Sequence, residues 1–150
     1  MKIKNLFNVE YRAVLSYRIY SYIYNNFSKG LGYILYQHSK LKYACDIAPT
    51  AKIGENFKIV HIGGIVIGRN SIISNDCSIN NNVTLGMKNS NDTSMPQLAN
   101  NVYISTGAKL LGSIYIGDNC IIGANSVVNR SFGSDSVIVG IPAKKIKTKI

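Results

Sequence analysis

The chain of 150 residues contains two histidines, the side chains best suited to proton transfer near neutral pH. His61 lies within the segment IVHIGG, and a neutral imidazole can accept a proton from a hydroxyl group that attacks an acyl group. Asp46 lies 15 residues earlier, and a carboxylate bound to the second ring nitrogen fixes the tautomer and stabilises the imidazolium. We therefore predict that His61 is a general base oriented by Asp46, with a corner cap as the alternative role for Asp46.

The second histidine and the cysteines are predicted to be structural. His38 falls on a predicted helix and is expected to be structural or on the surface. Cys45, Cys77 and Cys120 show no CxxC spacing, so we expect buried free thiols in a reducing compartment. A zinc site of three histidines cannot be built from two, and no metal is predicted.

Branched apolar residues recur every six positions through most of the chain. A period of six fits neither an amphipathic helix nor an alternating strand, but it fits a coil whose six-residue units each supply one short strand and one corner. Glycine follows several of these residues, and we expect it there because corners need tolerant backbone dihedrals and little side chain. The repeating positions are Ile47, Ile53, Ile59, Ile73, Ile79, Leu85, Leu98, Ile104, Leu110, Ile116, Ile122 and Val128.

This period predicts an all-β solenoid, a parallel β-helix of about five coils within a domain of residues 44–150. The alternative is a run of ordinary buried strands. Two extra residues interrupt the repeat around Gly63 and Gly64, and a polar segment at 86–97 is predicted to be a loop extruded from the solenoid. The chain leaves the repeat after Val128 and is expected to end in a C-terminal tail.

Residues 1–43 are predicted to form a separate N-terminal pair of helices that caps the first coil, because a solenoid end exposes unpaired strand edges. A membrane-surface helix pair is the alternative, since aromatic residues alternate with Lys and Arg. The apolar face of the first helix is predicted to contain Leu6, Val9, Ala13, Tyr17, Tyr20 and Tyr24, and that of the second Leu31, Ile34, Leu35 and Leu41.

The formal net charge is +10, and much of it lies near the two ends of the chain. Basic ends favour contact with phosphates, polyanions or anionic lipids, whereas nucleic-acid binding is not predicted because no recognised motif accompanies the charge. The sequence contains no apolar run long enough to span a bilayer, and no signal peptide is predicted. The expected location is the cytoplasm. The basic, aromatic N-terminus suggests the inner face of the membrane as an alternative.

Several stretches, taken together, resemble the hexapeptide-repeat acyltransferases, and within them the serine acetyltransferase-like branch. They are DIAPTAKIG, IVHIGGIVIG, NNVTLG, STGAKLLG, IGANSVV and VGIPAKKI, between Cys45 and Lys147. The resemblance implies a left-handed β-helix, a homotrimer, and transfer of an acetyl group from acetyl-CoA to a hydroxyl or amine. It also implies that His61 is the general base and Asp46 the residue that orients it.

The same resemblance implies a binding edge for acetyl-CoA on the solenoid, between two subunits. Small residues would allow the pantetheine arm to approach closely, and two cations would meet the phosphates. The residues implied along the edge are Gly86, Thr106, Ala108, Ala124 and Asn129, and the cations are Arg130 and Lys144.

Three departures from serine acetyltransferases suggest a different acceptor. Ala48, Val60 and Met95 stand where that branch carries charged or imidazole side chains, and apolar residues cannot pair with a zwitterion. We therefore predict a neutral acceptor, a saccharide hydroxyl, as in short relatives from capsule and exopolysaccharide gene clusters. The alternatives are serine O-acetylation and a non-catalytic β-helix scaffold. A γ-type carbonic anhydrase is excluded by the histidine count.

Overall fold

The computed structural model describes residues 7–90 and 93–148. Two helices, α1 (Val9–Asn26) and α2 (Lys29–Tyr43), precede fifteen short strands. The strands are β1 (Cys45–Ile47), β2 (Lys52–Ile53), β3 (Lys58–Ile59), β4 (Ile65–Ile67), β5 (Ile72–Ile73), β6 (Ser78–Ile79), β7 (Thr84–Gly86), β8 (Gln97–Leu98), β9 (Tyr103–Ile104), β10 (Lys109–Leu111), β11 (Tyr115–Ile116), β12 (Ile121–Ile122), β13 (Val127–Val128), β14 (Ser136–Gly140) and β15 (Ala143–Thr148).

The strands form three sheets, and every third strand along the coils joins the same sheet. Sheet A has the order β1-β4-β7-β10-β13, sheet B β11-β8-β5-β2 and sheet C β15-β14-β12-β9-β6-β3. All pairs are parallel except β14 with β15, which close the C-terminal end as an antiparallel hairpin. The architecture is a left-handed β-helix of about five coils, which confirms the parallel solenoid predicted from the six-residue period and the hand implied by the family resemblance.

The inward residues of successive coils stack on one another and form the core. Ile79, Leu85 and Leu110 are 0% exposed, and burying each such side chain is worth roughly 1.5–3 kcal/mol. The predicted free thiols of Cys77 and Cys120 lie in the same interior, where burial raises their pKa.

Of the two reasons predicted for the glycines after the apolar positions, the need for little side chain is confirmed and the need for tolerant dihedrals is not. Asn and Asp residues, such as Asn82 and Asn125, occupy the left-handed corner conformation at φ of 57° and 54°. Gly54 and Gly123 have no positive φ, but a Cβ at either site would lie 2.4 or 2.5 Å from an atom of the next coil. Close approach between coils therefore requires these glycines, and short polar side chains provide the corner dihedrals.

The two helices cap the first coil, as predicted, through buried tyrosines. The hydroxyl groups of Tyr17 and Tyr20 donate to the carbonyl oxygens of Ala51 and Ile47, each at 2.6 Å. These bonds satisfy backbone acceptors at the end of the solenoid, and burial raises the pKa of both phenols. Leu6, which is predicted to lie on the apolar face of the first helix, is outside the described residues.

The predicted face of α2 is wrong. Leu31, Ile34 and Leu41 are 50%, 66% and 85% exposed, whereas the buried face consists of Gly32, Tyr36, Ser39 and Tyr43. The physical reason is that the cap packs through small and hydrogen-bonding side chains: a Cβ at residue 32 would lie 2.5 Å from the Tyr24 Cα of α1. Neither helix, over its described residues, is long and apolar enough to cross a membrane.

Candidate active site

His61 lies on an irregular corner of the solenoid, between β3 of sheet C and β4 of sheet A. Its side chain is exposed, and the two glycines that follow, Gly63 and Gly64, have φ of 105° and 65°. The backbone N–H of Asn82 donates to the Gly63 carbonyl at 2.9 Å, so the next coil supports the corner. The two-residue insertion thus presents an imidazole at the surface on a backbone that is held in place.

Asp46 is engaged by the helical cap. It points outward from β1, opposite Val66 of β4, and its carboxylate accepts from Lys40 Nζ at 2.5 Å and from the Tyr36 hydroxyl. Between these described residues there is no hydrogen bond from His61 to Asp46. The expected contact is absent because α2 passes β1 and directs two donors at the carboxylate, so the orienting role of Asp46 stays a prediction.

Residues predicted for acetyl-CoA lie on the same corner as His61, on successive coils. The Gly107 N–H donates to the Asn81 carbonyl at 3.0 Å, and the Asn125 N–H donates to the Thr106 carbonyl at 2.9 Å. These bonds stack the corners that carry Thr106 and Ala124 below that of His61. Because neighbouring strands are about 4.8 Å apart, the three coils from His61 to Ala124 span about 14 Å. We call this row the corner column.

The other residues that are predicted to bind acetyl-CoA are more dispersed. Gly86 ends β7 and Asn129 follows β13, at the end of the sheet A strands that is opposite the corner column, and the Arg130 guanidinium lies 5.2 Å from the Phe132 ring centroid. Lys144 is exposed on β15, beyond the last coil of the corner column. The Ala108 side chain is 0% exposed, so the surface at this position is limited to its backbone.

Two cations and one phenol near the site, Lys109, Lys40 and Tyr36, are not indicated by the sequence pattern. Lys109 projects from sheet A, and its Nζ donates to the Asn82 carbonyl at 2.5 Å, beside the corner column. Tyr36 and Lys40 bind Asp46, and burial together with the Asp46 carboxylate raises the pKa of Tyr36. Their spacing of ten and six residues from Asp46 carries no helical or strand signal, because the contact crosses from α2 to β1.

A groove adjoins the His61 corner, between α1 and β3. Its volume is about 630 Å³, and Glu10, Arg18, Lys58 and Val60 are among its lining residues. The Arg18 guanidinium donates to the carbonyl oxygens of the β2 segment, which ties α1 to the solenoid. The groove therefore combines an acidic and a basic side chain next to the residue that precedes His61.

Comparisons with known proteins agree with this architecture. The bacterial transferase hexapeptide family, described by six repeats, matches residues 95–130. Serine acetyltransferase of Buchnera aphidicola subsp. Acyrthosiphon pisum is 40% identical over 136 residues, which cover 89% of this chain and 50% of that protein. The chain thus spans about half the length of the curated relatives that it matches.

Solved structures agree as well. Serine acetyltransferase from Brucella abortus strain S19 superposes with a TM-score of 0.92 at 30% identity, over 97% of this chain and 59% of that chain. A serine acetyltransferase in complex with CoA superposes with a TM-score of 0.85 at 38% identity, over 91% of this chain and 56% of that chain. Residues 95–130 thus carry the hexapeptide repeat of bacterial transferases, within a fold that these solved structures share. Among known proteins the chain is similar to serine acetyltransferases, over about half of their length.

The prediction of a saccharide acceptor is wrong, and closeness to capsule and exopolysaccharide enzymes is not supported, because these relatives are serine acetyltransferases. Two of the three departures have packing roles in this chain. Ala48 is 7% exposed, and a Cβ at Gly68 would lie 2.6 Å from the Met95 Cε. Packing thus accounts for the apolar character of Ala48 and Met95 without reference to the charge of an acceptor.

Proposed function

We propose that this chain transfers an acetyl group from acetyl-CoA to the hydroxyl group of serine. The observation that carries the proposal is 40% identity to a serine acetyltransferase over 136 residues, a stretch that makes up nearly the whole chain. The stacked corner column below His61 supports it, because an extended thioester donor needs a long edge that ends at a base.

In the proposed reaction, His61 removes the proton from the serine hydroxyl, and the oxygen attacks the thioester carbonyl carbon. The new C–O bond forms, the C–S bond breaks, and the proton passes from the imidazolium to the departing CoA thiolate. Backbone N–H groups would stabilise the oxyanion. Transfer is direct, since all three cysteine thiols are buried and burial raises their pKa.

The acceptor is proposed to bind in the groove between α1 and β3. Glu10 would pair with the ammonium group of serine and Lys58 with its carboxylate, since both side chains line this groove beside Val60. These two charges would replace the charged groups whose absence at Ala48, Val60 and Met95 argued for a neutral acceptor.

A homotrimer is proposed as the active assembly. Thr106, Ala124 and His61 are exposed on a single solenoid. A neighbouring copy would supply a second wall for the donor and exclude water from the thioester. Light scattering of the purified protein tests this: a mass of about three chains is expected, and a monomer with full activity contradicts it.

The test of the function is thiol release from acetyl-CoA in the presence of L-serine. We expect turnover in the wild type and a fall in kcat of about 10²–10⁴-fold in His61→Asn, the contribution typical of a general base. His38→Asn is the matched control, because His38 is also exposed but lies on α2. Absence of turnover with serine, or equal activity of both variants, contradicts the proposal.

A further inference from the structure

The outer surface of the helical cap exposes an unusual number of large apolar side chains. Each of six residues on α1, α2 and the turn between them is at least 50% exposed, and Leu41 is 85% exposed. Single exposed apolar residues are ordinary, but a group of this size on one pair of packed helices marks an interaction surface. We define the apolar cap face as Ile19, Tyr22, Phe27, Leu31, Ile34 and Leu41.

The cap does not need these side chains in order to fold. The helices pack on each other and on the first coil through the opposite faces, which bury Tyr17 and Tyr20 of α1 and Tyr36 and Tyr43 of α2. Within the apolar cap face, Tyr22 and Phe27 contact each other, with ring centroids 5.6 Å apart. Phe27 is the C-cap residue just after α1, so the apolar surface extends from α1 into the turn that leads to Leu31.

Most charges of the helical cap are positive; the exceptions are Glu10 in the first turn of α1 and Asp46 of β1, which pairs with Lys40. Residues 11–45 contain no Asp or Glu, and their cations are Arg12, Arg18, Lys29, Lys40 and Lys42. Lys29 and Lys42 are exposed, and Lys42 Nζ lies 5.5 Å from the Tyr43 ring centroid. Of the acidic residues at the solenoid corners, Glu55 lies on the first coil, whereas Asp118 and Asp135 lie on later coils. The cap is therefore a positively charged end of the molecule.

Exposed aromatic and aliphatic side chains beside exposed cations, here Lys29 and Lys42, are typical of a surface that binds anionic lipid. We propose that the apolar cap face lies in the interface of a bilayer that contains anionic phospholipid. Leu31, Ile34 and Leu41 enter the headgroup region while Lys29 and Lys42 contact phosphates. The opposite end of the solenoid points away from the bilayer, and the His61 corner, where the first coil leads into the second, stays close to the membrane surface. The proposal is independent of which acceptor the enzyme uses.

The test is co-sedimentation of the full chain with vesicles. Two compositions are compared: phosphatidylcholine alone, and phosphatidylcholine with roughly one third phosphatidylglycerol. We expect binding to the anionic vesicles only, weakened by added salt. The double variant Ile34→Glu/Leu41→Glu should lower the partition coefficient by at least about tenfold, because it places two charges on the inserted face. Both positions are exposed, so the melting temperature should stay close to that of the wild type.

The matched control is Ile146→Glu, which adds an acid at an aliphatic residue that is 60% exposed on β15, outside the cap. It should bind vesicles like the wild type. Lys29→Gln/Lys42→Gln should lose affinity for anionic vesicles without a change in the melting temperature. Failure of the wild type to sediment with anionic vesicles overturns the proposal, as does equal binding by Ile34→Glu/Leu41→Glu. Light scattering that shows a larger assembly, which that variant dissociates, would assign the face to contact between copies and also overturn it.

Discussion

The ion pair between Asp46 and Lys40 fastens the helical cap to the first strand, and Asp46→Asn should loosen it. The substitution preserves the size of the side chain and one acceptor oxygen for the Tyr36 hydroxyl, but removes the charge that Lys40 Nζ contacts at 2.5 Å. Asn cannot hold an ammonium group as a carboxylate does, so the pair is lost while the packing of α2 on β1 is retained.

The expected size of the effect follows from the exposure of the two side chains, 42% for Lys40 and 30% for Asp46. A partly exposed pair contributes about 0.5–1 kcal/mol, because solvent screens it. Weakening the bond from Tyr36 to a charged acceptor adds about 0.5–1 kcal/mol. We therefore expect Asp46→Asn to lower the free energy of unfolding by about 1–2 kcal/mol.

Urea unfolding monitored by tyrosine fluorescence measures this directly, because the chain has no Trp and ten Tyr, most of them in the helical cap. A double-mutant cycle with Lys40→Met should give a coupling energy of about 0.5–1 kcal/mol. A coupling energy of zero would refute the reasoning, since it would mean that the contact contributes nothing to the cap.

The same two variants separate the structural role of Asp46 from its predicted role in orienting His61. Asp46→Asn should lower kcat by about tenfold or more, whereas Lys40→Met, which removes only the cap contact, should stay within about threefold of the wild type. Equal effects on kcat would show that Asp46 acts on the cap alone.

Three further predictions test the coil contacts, the buried phenols and the acceptor groove. Gly54→Ala should lower the urea midpoint, because its Cβ would lie 2.7 Å from the backbone carbonyl carbon of Ser74 in the next coil, whereas Gly86→Ala, with its nearest contact at 3.5 Å, should not. Burial raises the pKa of Tyr20 above its ordinary 10.0, so the phenol of the unfolded chain loses its proton at a lower pH than that of the folded chain. The contribution of Tyr20 to stability is therefore full below pH 10.0 and decreases as the pH rises further. Tyr20→Phe should reduce this decrease in the free energy of unfolding, measured by urea titrations at increasing pH. Glu10→Gln should raise KM for serine by about tenfold or more in steady-state assays, while Glu55→Gln, exposed on a solenoid corner, should leave it unchanged.

Sequence reasoning failed where the answer depended on contacts between distant segments. The face of α2 was assigned by apolar content, but Tyr36 and Tyr43 are buried while Ile34 and Leu41 face outward. The acceptor was inferred from side-chain types at single positions, yet Met95 packs over Gly68 of the neighbouring coil. In both cases a residue's chemistry indicated what it can do, and its neighbours in space decided what it does.

The sequence by itself determined the solenoid, because a six-residue period places Ile79, Ile104 and Ile122 on one inward row whatever the rest of the chain does. It also indicated His61 as the residue able to accept a proton. Only the tertiary structure decided that Asp46 is bound by α2 and that Thr106 and Ala124 lie below His61. The physical reason is the distance along the sequence over which each feature is set. The repeat is local and recurs in every coil. A contact between α2 and β1, or the alignment of corners from different coils, depends on how separate segments pack in space.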